Sequence, residues 1–364
     1  MSHGKIHRVE LGNFSRNEVA LIGTTCQNIE QVFHELSEIL SISKLVYVDG
    51  NHQENKRESA SNLVIGGEDC FLKTNRNWSK FESAFALNEF DLAVINGNHF
   101  QAKNQIVFCD ETKRGSLERR VSELTNVMAI VALDENGDLP EYIKTLVPNF
   151  SSLPIIRSTA ELAFWIQKRF LNSPILEGLI LAGGMSVRMG EDKSQIEYHG
   201  IPQWQYLSMS VEDLGMQVNV SCRAEQQEQF SRKGMNLVLD KVLDFGPMGG
   251  LISAFMNDSS KAYLTIASDL PNVNSAFLYE LISQRDPSAF ATAFINSEKG
   301  WPEPLITIWE PRSFLRIMQF VGVGITCPRK VLMNSPIKLV EPSDQRFLLN
   351  VNNPDERDKV LFAK

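Results

Sequence analysis

The pattern that most limits the fold is an alternation that runs along the chain twice. Short β-rich apolar runs end in glycine or a polar turn, and stretches with apolar residues at helical spacing lie between them. In the first half, "EVALIG" (18–23), "KLVYVDG" (44–50), "FDLAVING" (90–97) and "NVMAIVALD" (126–134) read as strands. "NIEQVFHELSEIL" (28–40) places Ile29, Val32, Phe33, Leu36, Ile39 and Leu40 on one helical face. "STAELAFWIQKRFL" (158–171) opens on the cap candidates Ser158 and Thr159, with Glu161 just behind them. "NSP" (172–174) breaks the pattern, which then restarts. "EGLILAGG" and "QVNVSC" read as strands, with a helix after Pro202 between them. "GPMGGLISAFMND" (246–258) is a loop entering a helix, and "AYLTIASDLP" (262–271) is a strand ending in a polar turn. A helix at "SAFLYELISQR" and strands near "AFATAFI" and "EPLITIWE" follow. Repeated strand–helix–strand units predict two α/β domains, residues 1–173 and 174–364, each a three-layer α/β/α sandwich on a mostly parallel sheet. A length of 364 residues suits two such cores. Ligands of these sheets sit at the carboxyl ends of the strands. That rule puts Gly183, Gly184 and Ser268–Asp269 on one edge.

Charge and cysteine usage narrow the function. A formal net charge of −8 argues against a general nucleic-acid or anionic-membrane binder, though it leaves room for a local basic phosphate pocket. The five cysteines (Cys26, Cys70, Cys109, Cys222 and Cys327) are scattered and form no CxxC pair. They suit a reducing compartment and give no zinc-ligand spacing. The first residues lack the basic-then-apolar order of a signal peptide, and no run approaches the roughly 18 apolar residues that span a bilayer. The expected location is the cytoplasm. A small echo, "VYVDGNH" (46–52) and "AVINGNH" (93–99), reads as two Gly-Asn-His turns at strand ends, which needs no function to explain it.

The loop after Leu181 carries the chemistry. In "EGLILAGGMSVRMGEDKS" (177–194) the first two glycines are adjacent, so a dinucleotide-binding GxGxxG fails. Gly184 and Gly190 are six apart and Lys193 does not follow Gly190 directly, so a P-loop fails too. What remains is LAGGxSxRMGxDK: Leu181, Ala182, Gly183, Gly184, Ser186, Arg188, Met189, Gly190, Asp192 and Lys193. Glycines without Cβ let backbone N–H groups approach a triphosphate. Arg188 can clamp phosphate oxygens with two parallel hydrogen bonds. Lys193 offers a compact charge to oxygens that gain charge as a group leaves. A tight βα turn with a solvated basic surface is the bland alternative, but a turn needs neither the Arg, the Asp nor the Lys.

This loop resembles that of nucleotidyltransferases that join a nucleoside triphosphate to a phosphorylated acceptor. Its GG and DK make it most similar to molybdenum cofactor guanylyltransferases (the MobA type). Three further stretches of residues 175–364 agree with the resemblance. "LDKVLDFGPMGG" (239–250) is similar to the family's aspartate followed by a GPLGG-like stretch, which implies nucleotide contacts from Asp244 and Gly249. "IASDLP" (266–271) resembles the metal-binding strand end, implying that Asp269 holds Mg²⁺, an ion that takes one or two carboxylates and leaves the rest to phosphate and water. "LLNVNNPDE" (348–356) resembles an NxNxP motif, in which Asn350 would face the acceptor and Asn352 the metal. Taken singly, Asp244, Asp269 and the asparagines could equally be turn or cap residues. "GWPEPLITIWEP" (300–311) and "CPRKVL" (327–332) fall where the family lines the acceptor side, implying Arg329 and Lys330 for its terminal phosphate, although an ordinary solvated basic pair explains them as well.

The resemblance implies a Rossmann-like, GT-A-like transferase fold for 174–364. It also implies transfer of GMP from GTP to molybdopterin with release of pyrophosphate, with Arg188, Lys193 and Asp269 as the catalytic groups. CTP in place of GTP, a sugar-phosphate acceptor, and a non-enzymatic cofactor-handling role stay open. The first half is similar to a degenerate MobB-type guanine-nucleotide-binding domain. "DLAVING" (91–97) stands for that family's "DLVIVEG"-like strand, with Asn96 in place of Glu. At the P-loop position, "LIGTTCQN" (21–28) has one glycine and no lysine, which removes the cradle for a triphosphate. Docking of molybdoenzymes or cofactor-pathway proteins is the partner role expected of this half.

Overall fold

The computed structural model describes residues 6–7, 10–50, 62–66, 69–73, 79–133, 139–184, 192–231 and 235–362. The chain divides into two compact units, Glu10–Asn172 and Ser173–Lys364, the second also taking in Met1–Val9.

The first unit is built on strands β1 (Glu18–Ile22), β2 (Leu45–Val48), β5 (Leu92–Asn96), β6 (Gln105–Phe108), β7 (Val127–Val131) and β8 (Ile155–Ile156); β3 (Asn62–Gly66) and β4 (Asp69–Lys73) form a separate antiparallel hairpin. The main sheet runs β2-β5-β1-β6-β7-β8, and every pairing in it is parallel. Buried on both faces, β1 shows an unbroken apolar run rather than an alternation after Glu18. Val19 and Leu21 pack against Ile29, Val32 and Leu36 of the helix Cys26–Ile39 and against Leu162 and Ile166 of the helix Thr159–Phe170. Ile22 packs instead on the opposite face with Leu117, Ile143 and Val147. Helices on both faces make the three layers. Ser158 caps the second helix, accepting from Glu161 N, while Glu161 accepts from Arg157 N at 2.7 Å. At the amino end of β1 the fully buried Glu18 carboxylate accepts the backbone N–H groups of Asn13, Phe14, Ser15 and Lys103, four charge-assisted bonds that compensate its burial.

The second unit has seven strands: β9 (Leu176–Leu181), β10 (Val218–Cys222), β11 (Asn236–Leu239), β12 (Ala262–Ala267), β13 (Ala291–Asn296), β14 (Trp301–Trp309) and β15 (Lys338–Val340). Their order is β11-β10-β9-β12-β14-β13-β15. The pairings are parallel except that β14 runs antiparallel to both β12 and β13. This reversal brings the start of β14 to the edge where β12 ends. Helices Gln203–Glu212 and Ser275–Ser283 cover one face. Pro247–Asn257, Ser313–Gly322 and Pro328–Met333 cover the other. The fold is therefore mixed α/β with mostly parallel sheets. No helix of the described residues is long and apolar enough to cross a membrane.

Candidate active site

The carboxyl edge of the second sheet brings together Lys193 and Asp269, two of the charged side chains that the sequence singles out. Strand β9 ends at Leu181, and Ala182 stays pinned to the sheet through its N–H to Ser221 O at 2.9 Å. The chain then opens into the glycine pair. A Cβ on Gly184 would meet no atom of the described residues within 4 Å. A Cβ on Gly183 would stand 2.6 Å from Asp240 Oδ2, so that glycine is the condition for Asp240 to sit there. Ser186 and Arg188 lie outside the described residues.

The chain returns at Asp192, whose Oδ1 accepts the N–H and hydroxyl of Ser194 and so starts the 3₁₀ turn Lys193–Gln195. Gln226 Nε2 donates to Asp192 Oδ2 at 3.1 Å and fixes the same carboxylate from β10's side. Lys193 is thereby aimed across the edge. Its Nζ lies 3.6 Å from Asp269 Oδ2 and donates to Asn352 Oδ1 at 3.1 Å. Three motifs that are far apart in sequence thus meet at one ammonium.

Asp269 stands two residues beyond β12 on a loop held from several sides. Val351 N donates to Asp269 O at 2.9 Å, Gln203 Nε2 to Leu270 O at 3.0 Å, and His199 Nε2 to Pro271 O at 2.7 Å. Burial pushes the Asp269 carboxyl up from the usual carboxylate range, and the Lys193 charge pulls it back. Its Oδ1 is buried without a hydrogen-bond partner, as is Asn350 Oδ1. Oxygens left bare in this way suit a hard cation. No cluster of three or more His, Cys, Asp or Glu capable of holding a metal occurs among the described residues. Magnesium at a phosphate site needs only one or two protein carboxylates, so Asp269 fits that ion. The Asn352 oxygen accepts from Lys193 and so helps to seat the ammonium.

Two sequence assignments change character in the structure. Gly249 N donates to Gly246 O at 3.0 Å, and a Cβ there would stand 2.5 Å from Val242 O. Gly249 therefore serves close helix packing rather than offering its amide to a ligand. Asp244 is exposed, in the left-handed region with φ 65°, which an aspartate tolerates better than most residues. Arg329 lies over the Trp301 ring, 4.6 Å from its centroid, at the β14 end of the edge, while Lys330 is exposed.

Two polar groups on the edge escape the sequence reading. Asp240 follows β11 directly, accepts the Ser221 hydroxyl at 2.7 Å and faces Gly183. Burial raises its carboxyl, while Ser221 and the Arg223 charge draw it down. The buried Glu303, on β14, is pushed up chiefly by burial, with the Asp269 charge adding to the shift. Asp240 was within reach of the same strand-end rule that selects Asp269; Glu303 was hidden inside a stretch read for its prolines.

Glycine packing on this edge is testable. A Cβ at Gly250 would land on Ser221 Oγ and on Leu181. Gly250→Ala is expected to cost about 1–3 kcal/mol by overpacking, whereas Gly184→Ala, which meets no described residue, is expected to cost less. Calorimetric melting of both variants checks the contrast.

Residues 178–335 match the family model described as a MobA-like NTP transferase domain. A molybdenum cofactor guanylyltransferase of Pseudomonas paraeruginosa is 30% identical over 181 residues, covering 49% of this chain and 90% of that protein. A probable molybdenum cofactor guanylyltransferase of Nostoc sp. is 27% identical over 184 residues, 50% of this chain and 88% of the relative. The molybdenum cofactor biosynthesis bifunctional protein of Synechocystis sp. is 29% identical over 218 residues, 60% of this chain; the chain spans 63% of that relative's length.

Proposed function

The chain belongs to the MobA-like NTP transferase family, and we propose that its second unit, a nucleotidyltransferase domain, transfers GMP from GTP to molybdopterin and releases pyrophosphate. The observation that carries this reading is the Lys193 ammonium, fixed 3.6 Å from Asp269 Oδ2 and 3.1 Å from Asn352 Oδ1 beside the glycine pair. The names of the relatives support the choice of nucleotide and acceptor.

Phosphoryl-centre displacement depends on positioning and on charge stabilisation. In this reading the backbone around Gly183 and Gly184 holds the triphosphate, and Asp240 contacts the nucleoside from the neighbouring strand end. Lys193 and Arg188 offset charge on the departing pyrophosphate. Asp269 is the magnesium ligand, and the ion when bound neutralises charge on the α-phosphate oxygens. Asn350 and Arg329 orient the acceptor. Its terminal phosphate is already ionised near neutrality, so the site needs no general base. We place this chemistry in the cytoplasm, where the free thiols of Cys26, Cys109, Cys222 and Cys327 stay reduced.

A ligand that binds only the folded state stabilises it by about 2.7 kcal/mol at a hundred times its Kd. With magnesium present, GTP is expected to raise the melting temperature of the second unit more than CTP, ATP or UTP. A larger shift with CTP would replace GTP by CTP as donor. Absence of any shift, together with no pyrophosphate release from GTP and molybdopterin, would reject the transferase reading.

A further inference from the structure

The first unit carries a second cluster of reactive groups, unrelated to the transferase edge. Cys26 opens the helix that follows β1, Asp49 follows β2, and His99 sits in the turn after β5. These are three strand ends of one parallel sheet, in which β5 lies between β2 and β1. The carboxyl edge of such a sheet is where ligands bind. Cys26 also stands at the position where the resembling family carries its phosphate loop.

The three side chains form a line. Cys26 Sγ lies 3.7 Å from His99 Nε2, and His99 Nδ1 lies 2.5 Å from Asp49 Oδ1. A carboxylate only accepts, so Nδ1 carries a proton, and in the neutral ring Nε2 is then the acceptor facing the thiol. Asp49 is held as an anion: Gly50 N donates to Oδ1 at 2.6 Å and Tyr47 OH to Oδ2 at 3.2 Å. The imidazole, the Asn96 side chain and the Gly50 N–H keep its carboxyl below the usual range despite burial. His99 N donates to Asn96 O, and a Cβ on Gly50 would press on the imidazole at 3.2–3.3 Å, so turn and glycine together fix the ring. Asn98 Nδ2, 3.6 Å from Cys26 Sγ, donates to the sulfur and helps fix its position. The first-turn N–H groups of Cys26 and Gln27 have no intrahelical acceptor and offer partial positive charge beside the sulfur. The two histidine nitrogens point to different partners, so one metal ion cannot be ligated by all three side chains. The arrangement is that of a proton relay.

We propose that Cys26, His99 and Asp49 form a thiol-based acyl-transfer site that takes a carboxylic ester or thioester. Cys26 Sγ attacks the carbonyl carbon and passes its proton to His99 Nε2. The new S–C bond forms as the C–O or C–S bond to the leaving group breaks, and His99 returns the proton to the leaving oxygen or sulfur. Water then attacks the S-acyl carbon, giving a proton to His99, and the acyl group departs as a carboxylic acid while the thiol is restored. Cys26 and His99 are the catalytic residues. Asp49 is a positioning residue that holds the tautomer. Cys109 and Cys222 are set differently: burial pushes their thiols up to about 11.

The full-length protein is treated with iodoacetamide at pH 7, and labelling of each cysteine peptide is followed by mass spectrometry. Cys26 is expected to label at least tenfold faster than the comparably exposed Cys327. His99→Asn is expected to reduce it to the Cys327 rate. Asp49→Asn is expected to displace the pH midpoint of Cys26 labelling, a readout that a purely structural aspartate would leave alone. Among the described residues, Asp49 faces the relay directly, with Tyr47 behind it. Asp110 accepts the Thr24 hydroxyl on the neighbouring strand end, and Glu30 acts on Tyr47. With p-nitrophenyl acetate, a nitrophenol burst with acetyl on the Cys26 peptide is expected, and neither in Cys26→Ala. Equal labelling of Cys26 and Cys327 in the unmodified protein, or no acetyl on Cys26, overturns the proposal. Both measurements use the wild-type chain and stand even if a variant fails to fold.

Discussion

Asp269→Ala is expected to lower nucleotidyl transfer on the order of a hundredfold or more, with the far-ultraviolet dichroism and the melting transition little changed. The fold survives because the loops are joined through the backbone: it is Asp269 O, not its carboxylate, that accepts from Val351 N. The carboxylate instead contributes one oxygen turned toward Lys193 and one that is buried without a partner. Removing it takes away the ligand assigned to magnesium and one anion that seats the lysine. Lys193→Ala acts on the same transition state from the other side and is expected to cost a similar factor. The two losses should combine less than additively, since both groups serve one charge constellation. Initial-rate pyrophosphate release with the single and double variants provides the check. Near-normal turnover in either single variant rejects the assigned roles.

Arg285→Ala is expected to destabilise the second unit by about 3–5 kcal/mol, the cost of leaving a buried charge uncompensated. Arg285 Nε and Nη2 donate to the two Glu310 oxygens at 2.7 and 2.8 Å, and Nη2 also reaches Pro174 O at 3.0 Å. Glu310 is fully buried. Burial raises its carboxyl above the ordinary range even with the guanidinium in place, and the variant loses that counterweight. The sign for the variant follows. A carboxyl whose folded pKa is raised binds protons in the folded state first, so stability falls as pH rises from the ordinary Glu value of about 4.3 through the raised one. The gap between wild type and Arg285→Ala should therefore narrow as pH is lowered toward 5. For a unit of this size, 1 kcal/mol moves the midpoint by about 2–4 °C, so calorimetry at pH 7.5 and pH 5.5 resolves both the gap and its narrowing. Equal midpoints for the two proteins at pH 7.5 would rule out an energetic role for the pair.

The glycine loop, Asp269 and the asparagine motif are legible in the sequence because each is local: a strand end with a residue type that its chemistry requires. Their convergence on Lys193 is not, since the Lys193–Asn352 contact joins residues 159 apart and only the sheet order creates it. The direction of β14 had a readable sign. Four residues, Ser297 to Gly300, separate it from β13, too few for the crossover that parallel strands require. Periodicity was read there, and connection length was not. Residues 62–66 and 69–73 carry no such alternation with helices, and their hairpin was missed. The Cys26 relay is the opposite case. Each member looks like turn chemistry alone, and the Gly-Asn-His echo gave both Asp49 and His99 a sufficient bland explanation. Only the β2-β5-β1 order puts them beside one thiol.

The seat of Lys193 also has a consequence for which parts of the chain the edge relies on. All seven strands of the second sheet are complete at Val340, yet Asn352 and the Val351 N–H that steadies Asp269 are translated afterwards. The Lys193 seat therefore depends on a segment that lies outside the sheet and beyond its last strand. The loop to be closed is long, and its cost is entropic. The hydrophobic core of the unit and the seat of its lysine thus rest on different parts of the chain.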